Sequence, residues 1–124
     1  MINKLQHARF HETYHLMEQE ISGVADINKF AKWMLGPRVC VTGLIEQKNI
    51  SGFDAHALAQ QGIVPHLHRS EEPSRVVQDR DERSDLSAKN GLGFYDWSGR
   101  DIESYKARAE HKLQQLIHPL KNDG

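Results

Sequence analysis

The chain has 124 residues, of which 38% are apolar and 27% charged, and its formal net charge is −1 with neutral histidines. This length fits one domain, and the near-zero charge gives no electrostatic basis for nucleic-acid binding. Cys40 is the single cysteine, so an internal disulfide is excluded, and no run of about 18 apolar residues predicts a membrane span. Because no signal peptide is recognisable, we expect a cytoplasmic protein.

The first predicted element is a long helix over residues 2–21, which contain neither Gly nor Pro before Ser22-Gly23 ends the element. A helix that carries two apolar stripes is covered from two sides. At about 100° per residue, the apolar side chains form one stripe of Phe10, Tyr14, Met17 and Ile21 and another of Ile2, Leu5 and Leu16. We therefore expect a second subunit to cover one stripe, which gives a homodimer.

The middle of the chain predicts shorter helices divided by Gly and Pro. A second helix over 27–35 is expected to start at a cap residue, Asp26, and to stop at Gly36-Pro37. The β-branched run over 39–42 then predicts an extended connector. A third helical region over 44–62 is expected to break at Ser51-Gly52 and to end at Gly62.

The C-terminal third begins with a charged segment over 68–90, which predicts an exposed loop. Pro73 is expected to open one short helix within it, over 74–78. A last helix is expected from Ser98 to about residue 118, with Asp101 in an approximate capping box and Pro119 as its end. The predicted fold class is therefore all-α, with about five helices and a long N-terminal one.

Three histidines on the first helix form the clearest candidate metal site. His7, His11 and His15 are spaced i, i+4, i+8, with Glu18 on the same side, and histidines one turn apart can share a zinc ion. No His-Glu-x-x-His motif accompanies them, and the further ligands would have to come from elsewhere, such as His66 and His68. The alternative is a polar, partly exposed helix face, and we predict no metal.

The other reactive side chains have ordinary structural interpretations. Cys40 lies between two valines, where a thiol is usually buried, and Glu12, Glu46 and Asp54 fit capping or surface pairing as well as acid–base chemistry. Neither a Gly-x-Gly-x-x-Gly loop nor a P-loop lysine is present. The residues alone thus predict a helical module that binds no cofactor by itself and has no complete active site.

The segment over 89–97, Lys-Asn-Gly-Leu-Gly-Phe-Tyr-Asp-Trp, combines two glycines with an aromatic cluster. Glycine permits tight turns, and the aromatic side chains can fix such a turn by burial. This pattern predicts a turn locked in place by aromatic packing.

Read in order, four motifs resemble the C-terminal domain of the NAD-dependent 3-hydroxyacyl-CoA dehydrogenase (3-hydroxybutyryl-CoA dehydrogenase-like) family. They are Ile2-Asn3-Lys4-Leu5 with Glu12 and Leu16, Asp26-Ile27-Asn28, Gly43-Leu44-Ile45-Glu46 with Ser51-Gly52-Phe53-Asp54, and Lys89 to Tyr95. The last motif is similar to the family's Lys-(Thr/Ser)-Gly-x-Gly-Phe-Tyr. The resemblance assigns residues 1–97 to that helical domain and 98–124 to a C-terminal helical extension.

The resemblance implies a fold of the 6-phosphogluconate dehydrogenase C-terminal-like type and a role in fatty acid metabolism. In this family the helical domain supplies the dimer interface and one wall of the acyl-CoA cleft, while a separate Rossmann domain binds NAD and carries the catalytic His-Glu pair. Asn3 matches the family's active-site Asn, which hydrogen-bonds near the substrate oxygen and the catalytic His. Because the His and Glu are absent from this sequence, we expect an incomplete enzyme that is inactive alone.

Three departures from the family pattern indicate a divergent subfamily: Lys4 replaces Arg, Leu44 replaces Pro, and Asn49 replaces Asp. Small 3-hydroxy acids or a sugar acid are therefore substrate candidates for the parent enzyme beside acyl-CoA. The Rossmann domain would be supplied in trans or in a parent chain, and the sequence fits both a short natural gene and a truncated enzyme. The alternative function is a stand-alone helical binding or dimerisation module without a catalytic role.

Overall fold

The computed structural model describes residues 1–83 and 93–122 of the chain, and this part is helical, without a β-strand. The all-α prediction is confirmed, including the long N-terminal helix. The α-helices are α1 Ile2–Glu18, α2 Val24–Phe30, α3 Gly36–Thr42, α4 Leu44–Ser51, α5 Phe53–Ile63, α6 Arg75–Glu82 and α7 Ile102–Leu120. A π-helix, Ala31–Leu35, joins α2 to α3, and a 3₁₀ turn, Val64–His66, follows α5.

Contacts divide the chain into two compact units, Met1–Val76 and Val77–Gly124. The first unit contains α1 to α5, whose consecutive members pack against one another from α2 onward. The second unit contains most of α6, the aromatic segment over 93–97 and α7. Among the described residues, no helix is both long and apolar enough to cross a membrane.

The helix that begins at Val24 does not stop at Gly36-Pro37, so that prediction was wrong. The backbone continues through the π-helix into α3, and Val39–Thr42, predicted as an extended connector, is helical. The N–H of Gly36 donates to the Ala31 carbonyl five residues back, and a Cβ at Gly36 would lie 2.8 Å from that oxygen. In a regular α-helix the ring of a proline clashes with the carbonyl group four residues earlier. We attribute the tolerance of Pro37 to the π turn, because it changes the position of the carbonyl groups in the preceding turn.

Two glycines set the sharp joints between α3, α4 and α5. Gly43 has φ 67° and Gly52 has φ 94°, and both angles lie in the region that favours glycine. At Gly52 a Cβ would also lie 2.8 Å from the Asp54 Oδ1 atom. The predicted break at Ser51-Gly52 is confirmed, but α5 runs through Gly62 to Ile63 instead of ending at Gly62.

The first two helix boundaries differ from the sequence prediction. α1 ends at Glu18, ahead of Ser22-Gly23, because Glu20 takes a left-handed φ of 55°. The N–H of Ile21 then donates to Leu16 O and that of Glu20 to Met17 O, which is the Schellman pattern. α2 begins at Val24, so Asp26 lies in its first turn and is not its cap.

The C-terminal helices begin close to the predicted positions. α6 starts two residues after Pro73 and is longer than predicted. Asp101 is the N-cap of α7, since its side chain accepts a hydrogen bond of 3.0 Å from the Ser104 N–H. α7 therefore starts later than Ser98, and it ends at Leu120 with Pro119 inside its last turn.

No residue of the described ranges is buried, although many large apolar side chains belong to them. The Trp33 side chain is 76% exposed and that of Ile45 74%. From Tyr105 to Pro119, every residue of α7 is exposed. These helices therefore present apolar surface that their own unit does not cover.

Candidate functional site

Polar contacts between distant segments lie along the C-terminal half of α1, where residues 11–18 are half-buried. Two α1 carboxylates accept backbone hydrogen bonds from the segment that follows the 3₁₀ turn. Glu12 Oε2 accepts from the His68 N–H at 2.7 Å, and Glu18 Oε1 accepts from the Val76 N–H at 3.1 Å. We call this arrangement of residues 11–18 with 68–76 the α1 clasp.

The Glu18 contact also caps a helix. Val76 is the second residue of α6, whose first N–H groups have no partner within the helix. A carboxylate at that position satisfies one of these donors and interacts favourably with the positive end of the helix dipole. α6 is thus started by a side chain from a helix 58 residues away in the sequence.

Three histidines meet inside the α1 clasp. The His68 ring stacks on that of His15, with centroids 3.9 Å apart and planes 8° from parallel, and lies 4.7 Å from the ring of His11. His11 Nδ1 is 3.4 Å from the Ser74 hydroxyl oxygen. His11 Nε2 is buried, and no hydrogen-bond partner for it is found among the described residues. The cluster therefore joins α1 to the 68–74 segment through rings and hydrogen bonds.

This geometry does not form a metal site. Within the described ranges, no group of three or more His, Cys, Asp or Glu side chains could hold a metal ion. The face-to-face stacking of His15 and His68 explains why these two rings do not share a metal ion, because the nitrogen lone pairs of parallel rings do not converge on one point. His7, the first histidine of the candidate triad, makes an edge contact with Phe10 at 6.3 Å between centroids.

The one residue to which the family resemblance gives a catalytic role lies elsewhere on α1. Asn3 is in the first turn of the helix, in a stretch over residues 1–10 that is exposed throughout. Its assignment remains a prediction. Glu46 and Asp54, the other carboxylates considered, lie in the first turns of α4 and α5, where a negative charge favours the helix.

The second unit has an aromatic cluster after its undescribed residues 84–92. Trp97 contacts Tyr95 and Tyr105 edge to face, with centroids 6.2 Å and 5.1 Å apart. The Arg100 guanidinium lies 5.2 Å from the Trp97 ring, and that of Arg80 lies 4.5 Å from the Phe94 ring. Cation–π contacts of this kind hold α6 and the start of α7 to the aromatic segment.

Part of the turn that was predicted over residues 89–97 lies within the described residues. The Gly93 N–H donates to the Tyr95 carbonyl at 3.1 Å, which makes a tight local turn, yet Gly93 has no left-handed φ. A positive φ of 75° occurs at Gly99, two residues after the motif. Lys89 and Gly91 fall outside the described residues, so the predicted role of the first glycine is not observed.

Asp96 stabilises the turn that leads to α7. Its Oδ1 accepts hydrogen bonds from the Ser98 hydroxyl at 2.5 Å and from the Ser98 N–H at 2.9 Å. The hydroxyl bond, followed by the backbone bond, holds the pKa of Asp96 below its ordinary value of 3.8. This exposed carboxylate therefore stays ionised to lower pH than an isolated aspartate.

The described residues offer nothing that fits a dinucleotide. A dinucleotide site uses a strand, a glycine-rich turn and a helix N-terminus, and residues 1–83 and 93–122 contain no strand to carry such a turn. The glycines at the α3–α4 and α4–α5 joints are followed directly by helices that start from left-handed residues, without the Gly-x-Gly-x-x-Gly spacing.

Comparison with solved structures finds the same fold in part of a known enzyme. The chain matches the crystal structure of 5-formyl-3-hydroxy-2-methylpyridine-4-carboxylic acid 5-dehydrogenase, an NAD+-dependent dismutase, with a TM-score of 0.92 and 18% sequence identity. The match covers 98% of this chain and 39% of that enzyme's chain, so the protein has the fold of one part of it. No protein-family model matches the sequence, and no curated protein does.

Proposed function

We propose that this chain is the helical, dimerising and substrate-side domain of an NAD-dependent dehydrogenase of the 3-hydroxyacyl-CoA dehydrogenase type. The single observation that carries the proposal is the structural match over nearly the whole chain to 39% of an NAD+-dependent enzyme. The ordered motifs from Asn3 to Tyr95 support the same family. Fatty acid metabolism is the setting that this resemblance suggests.

The residues of this chain indicate which parts of the active site each of the two domains would supply. The nicotinamide and the proton-transferring His-Glu pair would belong to a dinucleotide-binding domain, supplied in trans or by a longer chain. The helical domain would contribute a wall of the cleft and the Asn3 amide, which can donate a hydrogen bond to a substrate oxygen that gains charge during hydride transfer. This chain alone is therefore expected to show no turnover.

The substrate is proposed as a class. Acyl-CoA is the choice that the family resemblance favours, and the departures at Lys4, Leu44 and Asn49 extend it to small 3-hydroxy acids. The matched enzyme is named for a pyridinecarboxylic acid that carries an aldehyde and a hydroxyl group. A panel of acetoacetyl-CoA, a small 3-hydroxy acid and that aldehyde covers the three options.

The test is reconstitution. The chain is mixed with a separately produced dinucleotide-binding domain of a 3-hydroxyacyl-CoA dehydrogenase, and NADH consumption or formation is followed with each substrate of the panel. We expect turnover with the mixture and none with either part. Turnover by this chain alone would overturn the proposal that it is incomplete, and a mixture without turnover on any substrate would favour the stand-alone dimerisation module.

Asn3 is tested within the active mixture. Asn3→Ala removes the amide donor, and the loss of one such donor to a developing oxyanion lowers kcat by about 100-fold or more. Gln6→Ala, on the same exposed stretch of α1, is the matched control and should leave kcat unchanged. An unchanged kcat in the Asn3 variant would show that its amide takes no part in the reaction.

A further inference from the structure

Three ring-bearing side chains of α1 lie on the same face of the helix as Asn3, the residue proposed to contact the substrate. At about 100° per residue, His7, Phe10 and Tyr14 all lie within about 40° of the direction of Asn3. His7 and Phe10 are exposed, and Tyr14 is half-buried. We call His7, Phe10 and Tyr14 the ring face, and Asn3 lies at its N-terminal end.

The rings of this face contact one another. The Phe10 ring stacks on the Tyr14 ring, with centroids 5.9 Å apart and planes 15° from parallel. His7 meets the Phe10 ring edge to face, with centroids 6.3 Å apart and planes 72° from parallel. Rings that restrain each other in this way lose little freedom when a ligand binds. A flat aromatic ligand suits such a surface, because contacts between rings add to the gain from buried area.

Positive charge accompanies the ring face. The Arg9 guanidinium lies 5.0 Å from the centroid of the Phe10 ring, so its charge reaches this face from a neighbouring position on the helix. Lys4 adds a second cation next to Asn3. The first turn of a helix favours acidic side chains, yet the first turn of α1 has none, and residues 1–11 contain no Asp or Glu. The N-terminal half of α1 is therefore suited to an anionic ligand.

The spacing along α1 limits how far the anionic group can lie from the reacting group of the ligand. Arg9 is six residues from Asn3, which is about 9 Å along the helix axis. A ring that carries both a carboxylate and a reacting oxygen holds them within this distance. In an acyl-CoA the phosphate groups lie beyond the whole pantetheine arm, much farther from the reacting carbon. The spacing therefore favours a compact aromatic acid.

We infer that the ring face binds an aromatic carboxylic acid that carries an alcohol or aldehyde group. Its ring lies against Phe10 and His7, its carboxylate pairs with Arg9, and its reacting oxygen accepts from the Asn3 amide. In the forward direction the alcohol carbon gives a hydride to NAD+ and the hydroxyl gives up a proton, which leaves an aldehyde, NADH and H+. The inference rests on the proposed function, which supplies the role of Asn3, and it makes Phe10 and Arg9 specificity-determining residues.

The first measurement is an NMR titration of the isotope-labelled chain without any second domain, so it does not depend on turnover. The probes are 3-(hydroxymethyl)benzoate and 4-hydroxybutanoate, which share the acid and the alcohol but differ in the ring. We expect ring-current shifts of the Phe10, His7 and Asn3 side-chain signals with the aromatic acid alone. Equal shifts with both acids, or no shift at these three residues, would overturn the inference.

The second measurement uses the mixture with the dinucleotide-binding domain and compares kcat/KM for the same two acids. Phe10→Leu removes the ring and keeps an apolar side chain, so the preference for the aromatic acid should fall about three- to tenfold. Phe10→Tyr keeps a ring and should retain the preference. Phe30→Leu, the same change at an exposed phenylalanine of α2, is the matched control. An unchanged preference in Phe10→Leu would overturn the inference, whereas a merely damaged fold would lower both values together.

The charge is tested with Arg9→Gln. Its KM for 3-(hydroxymethyl)benzoate should rise about tenfold, because a charged hydrogen bond is lost, whereas the KM for the neutral 1,3-benzenedimethanol should not change. Arg38→Gln, the same change at an exposed arginine of α3, is the matched control. Equal changes of KM for the acid and the neutral diol would overturn the pairing of Arg9 with the carboxylate.

The two proposals fail in different ways. A mixture that turns over acetoacetyl-CoA but not the aromatic acid would keep the proposed function and overturn this inference. A mixture without turnover on any substrate would refute the dehydrogenase proposal, and the titration of the chain alone would still decide whether the ring face binds an aromatic acid.

Discussion

Glu18 in α1 accepts a hydrogen bond of 3.1 Å from the backbone N–H of Val76, and through it one helix provides the N-terminal cap of another. Six residues earlier on α1, Glu12 accepts from the His68 N–H in the same way. A helix end that depends on a distant side chain is stable only while the two segments stay together. The α1 clasp is therefore the link that orders residues 68–76 in the first unit.

Removal of the Glu18 carboxylate should destabilise the chain. We expect Glu18→Ala to lower the free energy of unfolding by about 0.5–2 kcal/mol, the usual cost of a lost N-cap. Glu18→Gln keeps an acceptor without the charge and should cost less. Urea denaturation measures both, with the exposed Glu20→Gln as control. Equal stability of Glu18→Ala and Glu20→Gln would contradict the capping role.

The stacked histidines should show an energetic coupling. In a double-mutant cycle, His15→Ala and His68→Ala together should cost less than the sum of the single changes, with a coupling of about 0.5–1.5 kcal/mol as for other ring pairs. Chemical denaturation at neutral pH gives the four stabilities. His111, exposed on α7 and outside the clasp, replaces His15 in the control cycle, and its coupling to His68 should be near zero.

Two glycine-to-alanine changes should act in opposite directions. Gly36→Ala places a Cβ 2.8 Å from the Ala31 carbonyl oxygen in the π turn, so the backbone must shift at a cost of about 1–3 kcal/mol. Gly62→Ala lies inside α5 with nothing within 4 Å of the new atom, and should stabilise by about 0.5–1 kcal/mol. Thermal unfolding checks both signs, and a stabilising Gly36→Ala would show that the π turn is not fixed at this residue.

The hydrogen bonds from Ser98 predict a lowered titration midpoint for the Asp96 carboxyl group. Because its folded-state pKa is depressed by the hydrogen bonds from Ser98, its contribution to stability is present above the ordinary value of 3.8 and is lost as the pH falls through the folded-state value. A carboxyl carbon NMR titration should give a midpoint below 3.8. Ser98→Ala should move the midpoint up towards 3.8, whereas Ser104→Ala, which leaves the Asp96 contacts intact, should not.

Local chemistry determined the fold class and several boundaries. The composition of residues 2–18 favours a helix by itself, and Gly52 ends α4 because its φ of 94° suits only glycine. Asp101 was predicted as the acidic partner in an approximate capping box of a helix that starts at Ser98, and in the structure it is the N-cap itself. In each of these cases the residue and its neighbours in the sequence contain the whole physical cause.

Other features depend on contacts between distant segments, and the sequence could not show them. A Gly-Pro pair usually ends a helix, yet here the helical backbone continues across Gly36-Pro37 by way of a π turn. The spacing of His7, His11 and His15 left a metal triad and a polar helix face as alternatives, of which the polar face was predicted. The tertiary fold stacked His15 on His68, a residue 53 positions away, and left His7 outside this contact. A helix period places residues on one face, whereas only the packing of that face against another segment decides what they meet.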